Sequence, residues 1–151
     1  MDNEFYMNLA LKEAARAAKI DEVPVGAVIV DKESNVIGYG YNSPISSNDP
    51  TSHAEINAMR MASKVLKNYR LIDTDLYVTI EPCIMCMGAI IHARVKRVIF
   101  GAKDVKWGAV SSLYAMAEDK RINHNPKIIS GICEDKAKKI IIDFFKNKRS
   151  K

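Results

Sequence analysis

Apolar and polar positions alternate in two rhythms along this chain, and the two rhythms take turns. Over residues 3–20, NEFYMNLALKEAARAAKI sets Phe5, Leu9 and Ala17 among strong helix formers, which predicts an opening amphipathic helix. VPVGAVIVD, 23–31, is a short apolar, β-branched run and reads as a buried strand. KESN is a turn, and VIGYGYN, 36–42, is a second strand expected to pair antiparallel with the first. SPISSNDPTS, 43–52, has the composition of a loop. Helical spacing returns over 53–66, with Ile56, Met59 and Ala62 on one side. TDLYVTI, 74–80, is a third strand. PCIMCMGAIIHA, 82–93, starts with the proline that suits a first helical turn. RVKRVIFGA, 94–102, is a fourth strand, followed by a loop at 103–112 and a helical stretch near 113–120. PKIISGI, 126–132, is a short fifth strand, and EDKAKKIIIDFFKNK, 134–148, a last helix. With no repeat, linker or low-complexity tract, this alternation predicts one α/β domain spanning 1–151.

Composition narrows the class. A chain of 151 residues, 48% hydrophobic and 27% charged, has the length and balance of one soluble domain. No apolar run reaches the roughly 18–20 residues needed to cross a bilayer. The start, MDNEFYM, is acidic and lacks the basic and apolar regions of an export signal, so a cytoplasmic location is expected. Three cysteines, an odd number, argue against a disulfide framework. Cys133 reads as a small buried hydrophobe. The net charge of +5 is the sign that a polyanionic partner would require. Much of the excess sits in the final KNKRSK, which is either a solvated end or a phosphate contact.

The chemistry sits in two short clusters, each opening an expected helix: His53-Ala54-Glu55, and Pro82-Cys83-Ile84-Met85-Cys86. The second lies at the carboxyl end of a strand, where open α/β sheets place their ligands. Helix N-termini favour thiolates, which metal binding requires. His53, Cys83 and Cys86 make three good ligands. His92 lies about two and a half turns beyond Cys83 and does not easily reach back. His124 has no spacing that marks it as a fourth. Structural zinc sites close with four protein ligands, whereas three leave a position open for water, as in catalysis. Glu55 stands beside that position and is suited to move a proton. Alone, the C-x-x-C pair is equally a redox pair and the H-x-E is noise. Together, H-x-E followed by P-C-x-x-C is the signature of zinc nucleobase deaminases.

The likeness extends beyond the signature. EVPVGAVIV, NDPTSHAEINAMR, NYRLIDTDLYVTIEPCIMCMGAIIHARVKRVIFGAKD and FFKNKR resemble the bacterial TadA-type tRNA adenosine deaminases, from about Glu22 to the last helix. That resemblance implies a three-layer α/β/α, cytidine deaminase-like fold with a central five-stranded mixed sheet. It implies hydrolytic conversion of adenosine to inosine at the wobble position of a tRNA anticodon, by a homodimer with one Zn2+ per subunit. It requires no organic cofactor and no membrane. Carried over by position, His53, Cys83 and Cys86 hold zinc and Glu55 shuttles the proton. Asn42 matches a position that contacts the target nucleoside, and Asp104 and Asn123 match positions near the RNA. On the residues alone, Asn42 and Asp104 are equally turn residues. A carboxylate beside RNA can accept from a ribose 2′-OH.

The sequence departs from the family at Met87, Trp107 and Val110, where small residues are usual. Met87 either narrows the pocket or packs in the core. Trp107 either stacks on a base or packs on its own protein. The rival activity is deamination of a free base or nucleoside, such as guanine, cytosine or cytidine, by the same zinc chemistry. A zinc-stabilised RNA-binding module without activity is a further alternative, disfavoured by the open ligand position and Glu55.

Overall fold

The computed structural model describes residues 2–149; Met1, Ser150 and Lys151, and so the end of the KNKRSK tail, lie outside the described residues. Helix α1, Asn3–Lys19, starts at Asp2, whose carboxylate accepts the Phe5 N–H at 3.1 Å. Strands β1, Gly26–Val30, and β2, Val36–Tyr41, form the expected antiparallel hairpin. Asp31 shapes its turn, with Oδ1 accepting from the N–H groups of Glu33 and Asn35 at 3.0 and 2.9 Å. Then come α2, Ala54–Leu66; β3, Asp75–Ile80; α3, Ile84–Ala93; β4, Arg97–Ala102; β5, Lys127–Ile129; and α4, Glu134–Arg149.

The sheet order is β2-β1-β3-β4-β5. β1 pairs antiparallel with β2 and β3, while β3–β4 and β4–β5 are parallel. This is the five-stranded mixed sheet that the sequence led us to expect. β1 is buried at every position because both of its faces are covered. Ala27 and Ile29 enter the core on one face, with Leu76, Val78, Val98 and Phe100 and the apolar sides of α2 and α3. Val28 and Val30 face the other way, against Tyr6, Met7 and Ala10 of α1, with Tyr77 and Ile99. α4 packs on β4 beside α1, completing three layers.

Two expectations change. The helix near 113–120 shrinks to one 3-10 turn, Met116–Glu118. The N–H groups of Leu113 and Tyr114 return to the Gly108 carbonyl, and Asn125 Nδ2 donates to Asp119 O, so the chain here is folded by local turns. Too few residues remain to repay the cost of nucleating a longer helix. Cys133 is half-buried rather than buried. It sits at the entry to α4 with φ 55°, against the core on the α1 side.

Close approach of α2 to the sheet depends on Gly40. A Cβ there would overlap the Ala54 carbonyl, in the first turn of α2. Gly40→Ala is therefore expected to cost about 1–3 kcal/mol and lower Tm by about 2–12 °C. Thermal denaturation measures this, and an unchanged Tm would show that the helix can shift freely.

Candidate active site

Two helix N-termini meet at one end of the sheet. His53 is the N-cap of α2 and Cys83 the N-cap of α3, and neither side chain bonds to its own helix. Both backbones are extended there, which aims the side chains away from the helix axes and toward each other. Cys86 follows one turn into α3 and is fully buried. His53 Nδ1 lies 3.6 Å from Cys83 Sγ and 3.5 Å from Cys86 Sγ. All three donor atoms fall within 4.8 Å of one another. A tetrahedral zinc with its usual N and S bond lengths holds such atoms about 3.6 Å apart, so the set fits zinc.

Hydrogen bonds couple the three donors tightly. Donation from the Cys86 thiol, and then the hydrogen bond to His53, pull the Cys83 thiol down to about 4. The same bond to Cys83, with burial, pushes Cys86 up. The hydrogen bond to Cys83 raises His53. Glu55, in the first turn of α2, is only 4% exposed, and burial pushes its carboxyl up to about 7. A carboxyl poised near neutrality can both take and give a proton.

A cleft of about 460 Å³ opens onto these groups. His53, Glu55 and Cys83 line it together with Val25, Asn42, Asp104 and Trp107, a volume in the range of small-ligand sites. Asn42 follows β2 and is fixed by donation of its N–H to Val25 O at 3.0 Å. Asn57 Nδ2 donates to Tyr41 O at 2.9 Å, tying α2 to that strand end. Asp104 Oδ1 accepts the N–H groups of Lys106 and Trp107, both at 3.1 Å, so this carboxylate also folds its own loop. Asn123 is exposed and is not among the cleft residues. His92 is exposed, and His124 Nε2 lies 2.7 Å from Val95 O, so neither joins the metal-type group.

The departures sort themselves by location. Met87 and Val110 are buried in the core between the sheet, α2 and α3. Trp107 is 59% exposed at the cleft.

Of the buried glutamates that escaped the sequence reading, two hold loops beside the cleft. Glu22 accepts the N–H groups of Ile45 and Ser46 and holds the loop after Asn42. Glu81, between β3 and Pro82, is 3% exposed and faces the loop 104–112. Burial pushes its carboxyl up, but the Ser112 hydroxyl and the loop N–H groups outweigh burial and hold it below the ordinary value. The available signal was an acidic residue wedged between an apolar strand and a helix start, in TIEPC.

Residues 1–102 match the family model of the cytidine and deoxycytidylate deaminase zinc-binding region. The chain is 45% identical over 147 residues to the tRNA-specific adenosine deaminase of Haemophilus influenzae, covering 97% of this chain and 85% of that one. It superposes with TM-score 0.87, at 44% identity, on a structure from a study of A-to-I editing by tRNA:A34 deaminases at the wobble position of transfer RNA. That match covers 90% of this chain and 98% of the other. A guanine deaminase from Bacillus subtilis matches less fully, with TM-score 0.64 and 43% identity, over 68% of this chain and 66% of that one.

Proposed function

The chain belongs to the zinc-binding cytidine and deoxycytidylate deaminase family, and from that premise we propose that it converts adenosine to inosine at the wobble position of a tRNA anticodon. The observation that carries the reading is the three-donor group opening onto a cleft beside the buried Glu55. It is a zinc-dependent hydrolase, acting through one domain, 1–151. His53, Cys83 and Cys86 are the ligands. Zinc, when bound, supplies the Lewis acidity that makes water a nucleophile at neutral pH.

The rest falls to the chain itself. An adenine in an unpaired loop leaves its stack at little cost and enters the cleft. Asn42, on the cleft wall, offers amide donors and an acceptor to the nucleoside. Glu55 takes a proton from the attacking water and delivers it to purine N1, then takes the proton of the hydroxyl now on C6 and gives it to the amine, which leaves as ammonia while the C6 carbonyl forms. Asp104 and Trp107 face the flanking RNA. Asn123, exposed beyond the cleft, has its place at the RNA from family resemblance alone.

A homodimer in the cytoplasm completes the reading. α2 exposes Met61, Val65 and Leu66, and an apolar groove lined by Ile56, Met59, Ala89 and Ala93 runs between α2 and α3. Burial of such a surface against a second copy is the ordinary remedy. No helix among the described residues is long and apolar enough to cross a membrane.

The likeness to guanine deaminase favours one rival, a free-base deaminase, though over a smaller share of the chain. The decisive assay is inosine formation in a synthetic anticodon stem-loop with adenosine at the wobble position, beside free adenosine, cytidine and guanine. Conversion of the stem-loop alone is expected. Its kcat/KM should fall about 50-fold between 50 and 200 mM salt if about four phosphates are contacted. Turnover of guanine with none of the stem-loop would transfer the assignment to the rival.

A further inference from the structure

Five donors converge on the buried carboxylate of Glu81. Oε1 accepts the Asp104 N–H at 3.1 Å and the Ser112 hydroxyl. Oε2 accepts the N–H groups of Val110, Ser111 and Ser112, at 3.1, 2.9 and 3.1 Å. Residues 104–112 form no helix or strand, so their shape is set by what they wrap around. Gly108 adds a second tie. It bridges to Cys83, its neighbour Ala109 donates to Pro82 O at 2.8 Å, and a Cβ at Gly108 would run into the Glu81 carboxylate. The loop is therefore moulded onto the backbone that leads into the Cys83–Cys86 pair. Asp104 and the exposed ring of Trp107 line the cleft, as does Glu81 itself, whose carboxylate oxygens are taken up by the loop's donors.

We propose that Glu81 is a positioning residue that sets the substrate-binding wall of the cleft, acting on RNA binding through this loop and not on the chemical step. This rests on the reading of the substrate as an RNA loop. Every polar partner of the carboxylate is a donor, so only a group that accepts at both oxygens satisfies the loop. Glutamine keeps the size and shape but turns one NH2 toward N–H groups. Glu81→Gln should loosen the loop while leaving Glu55 and the three ligands in place. Trp107 is the chain's one tryptophan, so its emission reports the loop directly.

The test measures zinc content, Trp107 emission anisotropy, and kcat and KM on the stem-loop, for wild type, Glu81→Gln and Ser112→Ala. For Glu81→Gln we expect zinc equal to wild type, lower anisotropy, KM raised at least tenfold and kcat within threefold. Ser112→Ala, which removes one donor, should raise KM about threefold. Unchanged anisotropy and KM in Glu81→Gln would overturn the proposal. So would a fall in kcat at constant KM, or loss of zinc, since either places Glu81 in the chemistry or the metal site. If Glu81→Gln does not fold, Ser112→Ala decides, and wild-type KM and anisotropy there would overturn the proposal. A wild-type enzyme inactive on the stem-loop would refute the substrate reading, while the anisotropy comparison would still judge the hold of Glu81 on the loop.

Discussion

Glu55→Gln is expected to lower kcat on the stem-loop by about 10²–10⁴-fold, the usual contribution of a positioned proton carrier. Glutamine matches glutamate in size and can still hydrogen-bond, but it cannot take a proton from water or return one to the purine. Glu55 is buried in the first turn of α2, one residue past the N-cap-plus-one position, so its orientation is set by the helix. Burial disfavours the charged form here, so the variant should fold at least as stably as the parent. KM should move little, because the interaction lost belongs to the transition state. Zinc content should stay at the wild-type level. Single-turnover kinetics with metal analysis checks all three, and kcat within tenfold of wild type would remove Glu55 from the proton path.

Cys86→Ser should be the most damaging single change at the metal group. The thiol is fully buried and lies 3.5 Å from His53 Nδ1. A serine hydroxyl is a poor zinc ligand and is shorter, which leaves two donors where three are needed. We expect zinc to fall below one tenth per chain and turnover to vanish. Stability falls as well, since a ligand that binds only the folded state at about 100 times its Kd adds about 2.7 kcal/mol. For a domain of this size that is about 5–11 °C in Tm. Wild-type protein stripped by a chelator isolates this metal contribution, and its Tm should recover when zinc is restored. Retention of zinc with measurable turnover in Cys86→Ser would mean that the metal is held elsewhere.

Much of this molecule was legible in its sequence because burial and chemistry leave local marks. β1 is apolar throughout because a helix layer covers each face, and GAVIV says so without knowledge of its partners. The metal-type group was legible because both halves open helices. The fate of Met87 was not, since only the packing of α3 against the sheet and α2 decides between core and pocket. The loop 103–112 was opaque for a related reason. Its order comes from Glu81, more than twenty residues earlier, and no periodicity records a turn wrapped around a distant carboxylate. Asn123 is exposed and outside the lining of the cleft that gathers Asn42 and Asp104, so its place at the RNA rests on the resemblance and not on the cleft.

His53 and Cys83 stand where helices ordinarily recruit aspartate or serine to satisfy their own first N–H groups, and both decline that service. A conventional cap at either place would strengthen its helix by about 1 kcal/mol while emptying the metal group. Thermal robustness and turnover therefore pull against each other at these two positions. Selection for heat resistance in a zinc-starved medium would drift toward inert protein, whereas selection in zinc would hold both residues fast, because there the ion is worth more to the fold than two caps.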